Sequence, residues 1–245
     1  MTPEQLPLLA AGILLIAFLY SSVGHAGASG YIAVMSLLSV APEVIRPTAL
    51  VLNILVASIA SWQFWRSGNF SWRLFWPFAV AAVPTAFVGG YVSLPTDILK
   101  MLIGAVLLAS ALRLFLKPPD DVVHAEPKRL VAIALGAALG LLAGLTGTGG
   151  GIFLTPVLIL AGWARARTAG AVSAVFILVN SGAGLAGSIT ATQAFPTPAL
   201  ILAAAAMVGG TTGSYLGSHR LPHTTIKRLL AVVLTIAGLK LLIGE

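Results

Sequence analysis

No cysteine occurs in the 245 residues, which excludes disulfide frameworks, thiol catalysis and cysteine-held metals. Charge is nearly as scarce. Asp, Glu, Lys and Arg make up 9% of the chain, against about 25% in soluble domains. The seven acids, Glu4, Glu43, Asp97, Asp120, Asp121, Glu126 and Glu245, all lie outside the long apolar runs. Cation carriers and carboxylate proton relays keep at least one acid within the membrane, so their absence there disfavours a cation and favours an anion. No Ser/His/Asp set and no metal-ligand cluster occurs. His219 and His223 are four apart, but Pro222 intervenes and basic residues crowd them, so a loop is the better reading. No enzyme activity, catalytic residue, metal or cofactor is expected.

What is present is apolar: 58% hydrophobic residues and a mean hydropathy of +0.99. The expected class is an all-α integral membrane protein without a soluble domain, since the longest polar connection is 117–129. The net charge of +7 sits in short loops, as membrane topology alone requires. Nucleic acid is therefore not an expected partner. The lipid bilayer and a small anion are, and a homodimer stays open. The first apolar run lacks the basic leader of a signal peptide and has a counterpart in the second half, so it is read as part of the mature fold.

Five apolar segments repeat. They fall at 6–22, 29–40, 48–64, 72–92 and 98–116, then at 130–145, 151–162, 168–189, 198–217 and 225–243. Thr48-Ala49 aligns with Thr168-Ala169, which sets Asn53 beside Ser173; Leu94-Pro95 aligns with Leu221-Pro222, which sets Lys100 on Lys227 and Arg113 on Lys240. Ala82, Ala86 and Gly90 then match Gly209, Gly213 and Gly217, and Gly136, Gly140 and Gly144 form another such row. Small residues every fourth position let helices approach closely. If each half crosses an odd number of times, eleven Lys and Arg fall on one face and three (Arg46, Lys100 and Lys240) on the other. The alternative parity splits them seven and seven. The positive-inside rule selects the first. The expected organisation is two inverted repeats, 1–117 and 130–245, joined by a cytoplasmic linker at 118–129, with both termini on the non-cytoplasmic side. Segments 29–40 and 151–162 are too short to cross, since crossing takes about 20 residues. Each repeat is therefore read as starting with a short or re-entrant helical hairpin broken at a glycine-rich tip.

The tips carry the chemistry. Residues 144–156 read GLTGTGGGIFLTP, and 21–33 read SSVGHAGASGYIA. Glycine lets a ligand approach the backbone, and the half-helices that follow aim N–H groups and a partial positive charge at the centre. Transporters built from inverted repeats use such broken helices. The expected binding residues are His25, Gly27, Ser29 and Gly30 on the first tip and Thr146, Gly147, Thr148, Gly149, Gly150 and Gly151 on the second. Asn53 and Ser173 join them from the helices that follow. His25 stands out as an ionisable group within a membrane tip. Arg46 and Arg167 are read as interface anchors, and Trp62, Trp65, Trp72 and Trp76 as an aromatic belt.

The motif GLTGTGGGIFLTPVL, followed by Arg-Thr-Ala-Gly-Ala-Val-Ser at 167–173, resembles the signature of the TauE/SafE family of sulfite exporters. The first copy, SVGHAGASGYIAVMSLL with Arg46-Pro47-Thr48-Ala49, is similar to that family's N-terminal repeat, departing from it at His25, Ala26 and Ala28. The resemblance implies a transporter of small sulfur anions such as sulfite or sulfoacetate in the cytoplasmic membrane. The expected mechanism is export by alternating access, one repeat rocking against the other. An anion channel and a proton-coupled importer of a sulfur-containing anion are the alternatives.

Overall fold

The computed structural model describes residues 5–40, 42–92, 125–192 and 198–243, with single positions at 108, 111, 112, 115 and 123. Among these, all regular structure is helical. The helices are α1 (Leu6–Ser21), α2 (Ala28–Leu37), α3 (Pro42–Arg66), α4 (Trp72–Tyr91), α5 (Arg129–Thr146), α6 (Gly151–Leu160), α7 (Ala166–Thr192), α8 (Pro198–Tyr215) and α9 (His223–Ile243), with a π turn, Leu216–Arg220, after α8. Five stretches are long and apolar enough to cross a membrane: Val44–Arg66, Trp72–Tyr91, Arg129–Thr146, Ala166–Thr192 and Ala199–Arg220. The chain is a multi-pass membrane protein. The first half's last expected segment, 98–116, falls almost wholly outside the described residues, as do Leu94, Pro95, Lys100 and Arg113, on which part of the repeat register rests.

Two breaks separate short helices from their neighbours, at 22–27 and 147–150. Backbone geometry explains why they fall there. Gly27, at φ 108°, precedes α2, and Gly149 and Gly150, at φ 74° and 81°, precede α6. A residue with a Cβ rarely adopts such angles. Gly147 closes α5 in the left-handed conformation, its amide donating to the Ala143 carbonyl at 2.9 Å, as glycine does at helix ends. The breaks are slightly tighter than the expected tips. Ser29 and Gly30 belong to the first turn of α2, Thr146 ends α5 and Gly151 opens α6.

The small-residue rows decide how the halves meet. α5 lies along α4, with the carbonyl oxygens of Phe78, Ala82 and Ala86 directly over the Cα atoms of Gly136, Gly140 and Gly144. α1 lies along α8 in the same manner, with the carbonyls of Leu14, Phe18 and Ser22 over Gly209, Gly213 and Gly217. A side chain at any of these glycines would occupy the space of a carbonyl on the facing helix. The first helix of each half is thus seamed to the fourth of the other. Rocking one half against the other as rigid bodies would have to slide both seams. α3 and α7 pack together between the seams, and α7 is buried along much of its length. At one end of the bundle, exposed Trp62, Trp65, Trp72 and Trp76 gather with two cations, Arg66 over the Trp62 ring at 5.8 Å and Arg129 over the Trp76 ring at 5.7 Å.

The seams predict opposite signs for one substitution at two sites. Gly144→Ala drives a methyl into the Ala86 carbonyl and should destabilise by about 1–3 kcal/mol. Gly182→Ala, where no atom lies within 4 Å, should stabilise by about 0.4–1 kcal/mol. Thermal unfolding of both variants in detergent reads the difference.

Candidate functional site

The two breaks meet. Asn53, fully buried on α3, joins them through one amide group. Its Oδ1 accepts the Ala28 N–H at 3.0 Å, at the start of α2. Its Nδ2 donates to the Thr148 carbonyl at 3.2 Å, in the second break, and to Ser181 Oγ at 3.3 Å, on α7. The first break is fastened further by Tyr31, whose hydroxyl donates to the Ala26 carbonyl, and by Ser29, whose hydroxyl donates to that of Tyr20 at 3.1 Å. Glycine is required at the crossing. A Cβ at Gly149 would stand 2.6 Å from Ser181 Oγ and 2.9 Å from Asn53 Nδ2.

Between the breaks lies a cavity of about 10 Å³ as traced by the centre of a water molecule, near the threshold for holding one water. His25, Gly27 and Ser29 wall it on one side, Thr148, Ile152 and Ile177 on the other. His25 is 1% exposed. Its Nε2 lies 2.7 Å from Thr155 Oγ1, and the Thr155 hydroxyl donates in turn to Ser173 Oγ at 2.7 Å. The Gly151 backbone lies beside the imidazole, and Nδ1 makes no hydrogen bond of regular geometry among the described residues.

The backbone there is lopsided in its bonding. The carbonyls of Ala26 and Thr148 accept side-chain donors. Among the described residues, the N–H groups of Ala26, Gly27, Thr148, Gly149, Gly150 and Gly151 make no hydrogen bond, although all six residues are buried. Buried amides ordinarily have partners. The site therefore offers donors without acceptors, in the setting of two half-helix N-termini whose dipoles favour negative charge. Among the described residues, no charged side chain lines its wall.

The expected site residues thus divide. His25, Gly27, Ser29 and Thr148 line the cavity, and Gly149, Gly150 and Gly151 bring free amides to the same region. Asn53 and Ser173 stand behind it as supports. Gly30 packs under Ile16 and Gly147 under the Arg46 stem. Thr146 donates to the Leu142 carbonyl at 2.7 Å and lies 2.8 Å from the Thr148 hydroxyl. Sequence reasoning missed Thr155, Tyr20, Tyr31 and Ser181. Thr155 had a readable signal, a hydroxyl four residues after Gly151 and hence on the same helix face.

Arg46 is more than an interface anchor. Its Nη2 donates to the carbonyls of Gly89 at 2.7 Å and Gly90 at 3.0 Å, at the end of α4, and of Gly144 at 2.5 Å, near the end of α5. Arg167 does a smaller version, donating to the Leu221 carbonyl at 2.7 Å after the π turn. Each supplies donors to carbonyls that a helix end leaves over.

Crossing-length helices packed with two broken ones, and unpaired polar groups between the breaks, mark a multi-pass membrane protein with a polar site. Residues 8–241 match the family model described as Sulfite exporter TauE/SafE, and the chain belongs to that family. It is 39% identical over 241 residues to the "Probable membrane transporter protein y4hK" of Sinorhizobium fredii, covering 96% of this chain and 97% of the relative. It is 26% identical to the "Probable membrane transporter protein YjnA" of Bacillus subtilis, over 94% and 96% of the two chains. No solved structure matches. Family and relatives alike are transporters, and the chain is a membrane transporter rather than an enzyme.

Removing the Asn53 amide should loosen the crossing. Asn53→Ala leaves the Ala28 N–H and the Thr148 carbonyl without partners, at about 1–3 kcal/mol for each buried group left unpaired. A lowered unfolding midpoint in detergent is expected, with Ser58→Ala, an exposed hydroxyl on the same helix, unchanged.

Proposed function

We propose that this protein exports a small sulfur oxyanion, sulfite or an organosulfonate, from the cytoplasm across the inner membrane. The anion binds between the two breaks. Amides of Gly27, Gly149, Gly150 and Gly151 surround it, the hydroxyls of Ser29 and Thr148 turn to it from Tyr20 and Thr146, and Asn53 and Ser173 hold those groups in place. The observation that carries this reading is the set of buried, unpaired N–H groups converging from both breaks, with no acid among the described residues there to repel an anion. The family's own description names a sulfite exporter. An inside-negative potential drives an anion outward by about 2.3 kcal/mol per charge per 100 mV, so export needs no coupling ion.

The cavity is too small for an oxyanion of four heavy atoms, so the breaks must part for substrate to enter. This favours a transport cycle with alternating access over an open channel. The breaks part while the α1–α8 and α4–α5 seams stay closed. The reciprocal seams also support the inverted arrangement, residues 1–117 and 130–245 around a two-fold axis with 118–129 as the cytoplasmic linker, because a two-fold operation turns one seam into the other. In this arrangement α1–α2 and α5–α6 are re-entrant hairpins from opposite sides.

Two experiments test these readings. Calorimetry on purified protein should detect sulfite binding, weakened about tenfold or more by Thr148→Val, as expected for losing a hydrogen bond to a charged group. Binding of sodium ion or a neutral sugar, and of neither sulfite nor a sulfonate, would sink the anion reading. For topology, any thiol placed in this cysteine-free chain is its sole thiol. Arg66→Cys should react with an impermeant maleimide only from the cytoplasmic face, and Ala191→Cys only from the outer face.

A further inference from the structure

The hydrogen bonds around His25 favour one placement of its proton. A threonine hydroxyl has one hydrogen to donate. That of Thr155 goes to Ser173 Oγ at 2.7 Å, so towards His25 the same oxygen can only accept. Nε2, also 2.7 Å away, is therefore the donor. In a neutral imidazole the other nitrogen is then a bare lone pair. The Gly151 backbone beside the ring can accept from an imidazole N–H, but it carries no negative charge to balance a doubly protonated ring. The other titratable groups facing it are Tyr20 on α1, whose ring centroid is 6.4 Å away, and Tyr31 on α2, whose hydroxyl is bound to the Ala26 carbonyl. Among the described residues no carboxylate lines the cavity, and the guanidinium of Arg46 is turned to three carbonyls. An unpaired buried charge is strongly disfavoured.

Nδ1 is thus a buried acceptor without a regular partner, on a residue that walls a cavity otherwise supplied with donors. A bare nitrogen lone pair repels the oxygens of a fully deprotonated oxyanion. It accepts a hydrogen bond from an oxyanion that still carries a hydroxyl. Among the described residues, the site has no cation of its own to balance a second negative charge.

We propose, resting on the reading of this cavity as the anion site, that it selects the singly protonated form of its oxyanion. That form is hydrogensulfite rather than sulfite, its proton shared with His25 Nδ1 while its other oxygens take the amides of the breaks. His25 is then the residue that sets specificity. A substrate brings its own proton and crosses with one negative charge, and no acidic residue is needed to carry a proton beside it. A sulfonate, which has the same charge but no proton to share, is the disfavoured analogue.

The test uses wild-type protein in detergent and two probes, sodium sulfite at pH values on both sides of the sulfite–hydrogensulfite couple, and methanesulfonate. Calorimetry should show affinity for total sulfite falling about tenfold per pH unit once the dianion dominates, the slope of one bound proton. Methanesulfonate should bind at least about tenfold more weakly than hydrogensulfite, with no pH dependence over the same range. Sulfite affinity that is flat or rises with pH, or methanesulfonate binding as tightly as hydrogensulfite, overturns the proposal and leaves the anion site standing. Failure of both probes to bind at any pH overturns the anion reading itself. His25→Asn, placing an amide that can donate near the position of Nδ1, should shift the preference about tenfold towards methanesulfonate. If that variant does not fold, the wild-type comparison decides alone.

Discussion

A helix that stops inside a packed bundle leaves backbone groups where water does not reach them. Much of this structure answers that constraint, and it answers it unevenly. Carbonyls at the breaks and helix ends are met by side-chain donors: Gly89, Gly90 and Gly144 by Arg46, Thr148 by Asn53, Ala26 by Tyr31. Amides are met far less. Ala28 has Asn53, while the amides of Ala26, Gly27 and residues 148–151 have none among the described residues. Satisfying acceptors while leaving donors open makes the crossing electropositive without a charged side chain in its wall.

That arrangement depends on keeping the breaks close, and two kinds of contact do so. Asn53 ties them directly. The glycine seams act at longer range, because carbonyl-over-glycine contact fixes where along α4 and α8 the helices α5 and α1 end. Gly24 in the first break is pressed against Gly170 of α7, and Gly147 in the second against the stem of Arg46. Each break therefore rests on the third helix of the opposite half, and a shift in either half is felt at the other's break.

Much of this was legible in the chain. Glycine clusters flanked by apolar runs marked both breaks to within two residues, since positive φ has a strong compositional signature. Rows of small residues at fourth positions marked the helix faces that meet. The register also put Asn53 and Ser173 at matching places, but not with matching roles. Asn53 has both a donor and an acceptor and bridges the breaks, whereas Ser173 ends the chain from His25. The illegible part was what distant residues do to one another. Arg46 serves carbonyls 43 and 98 positions away, and nothing local distinguishes that role from an interface arginine. Spacing alone sets Thr155 on the face of α6 that Gly151 opens, but only the fold brings His25 against it.

The seams have a consequence for how the molecule is made. α1 leaves the ribosome long before its partner: the helix with the glycine groove that receives it, α8, follows roughly two hundred residues later in the chain. Until then its polar-tipped end at Ser21 and Ser22 must wait among lipids or other helices. α4 waits less, since α5 comes soon after it. Assembly therefore cannot proceed as two finished halves that dock. The second half packs its fourth helix back onto a helix made much earlier, so that seam closes only once α8 has been made, and a chain cut between α4 and α5 would leave both glycine grooves open on the second fragment.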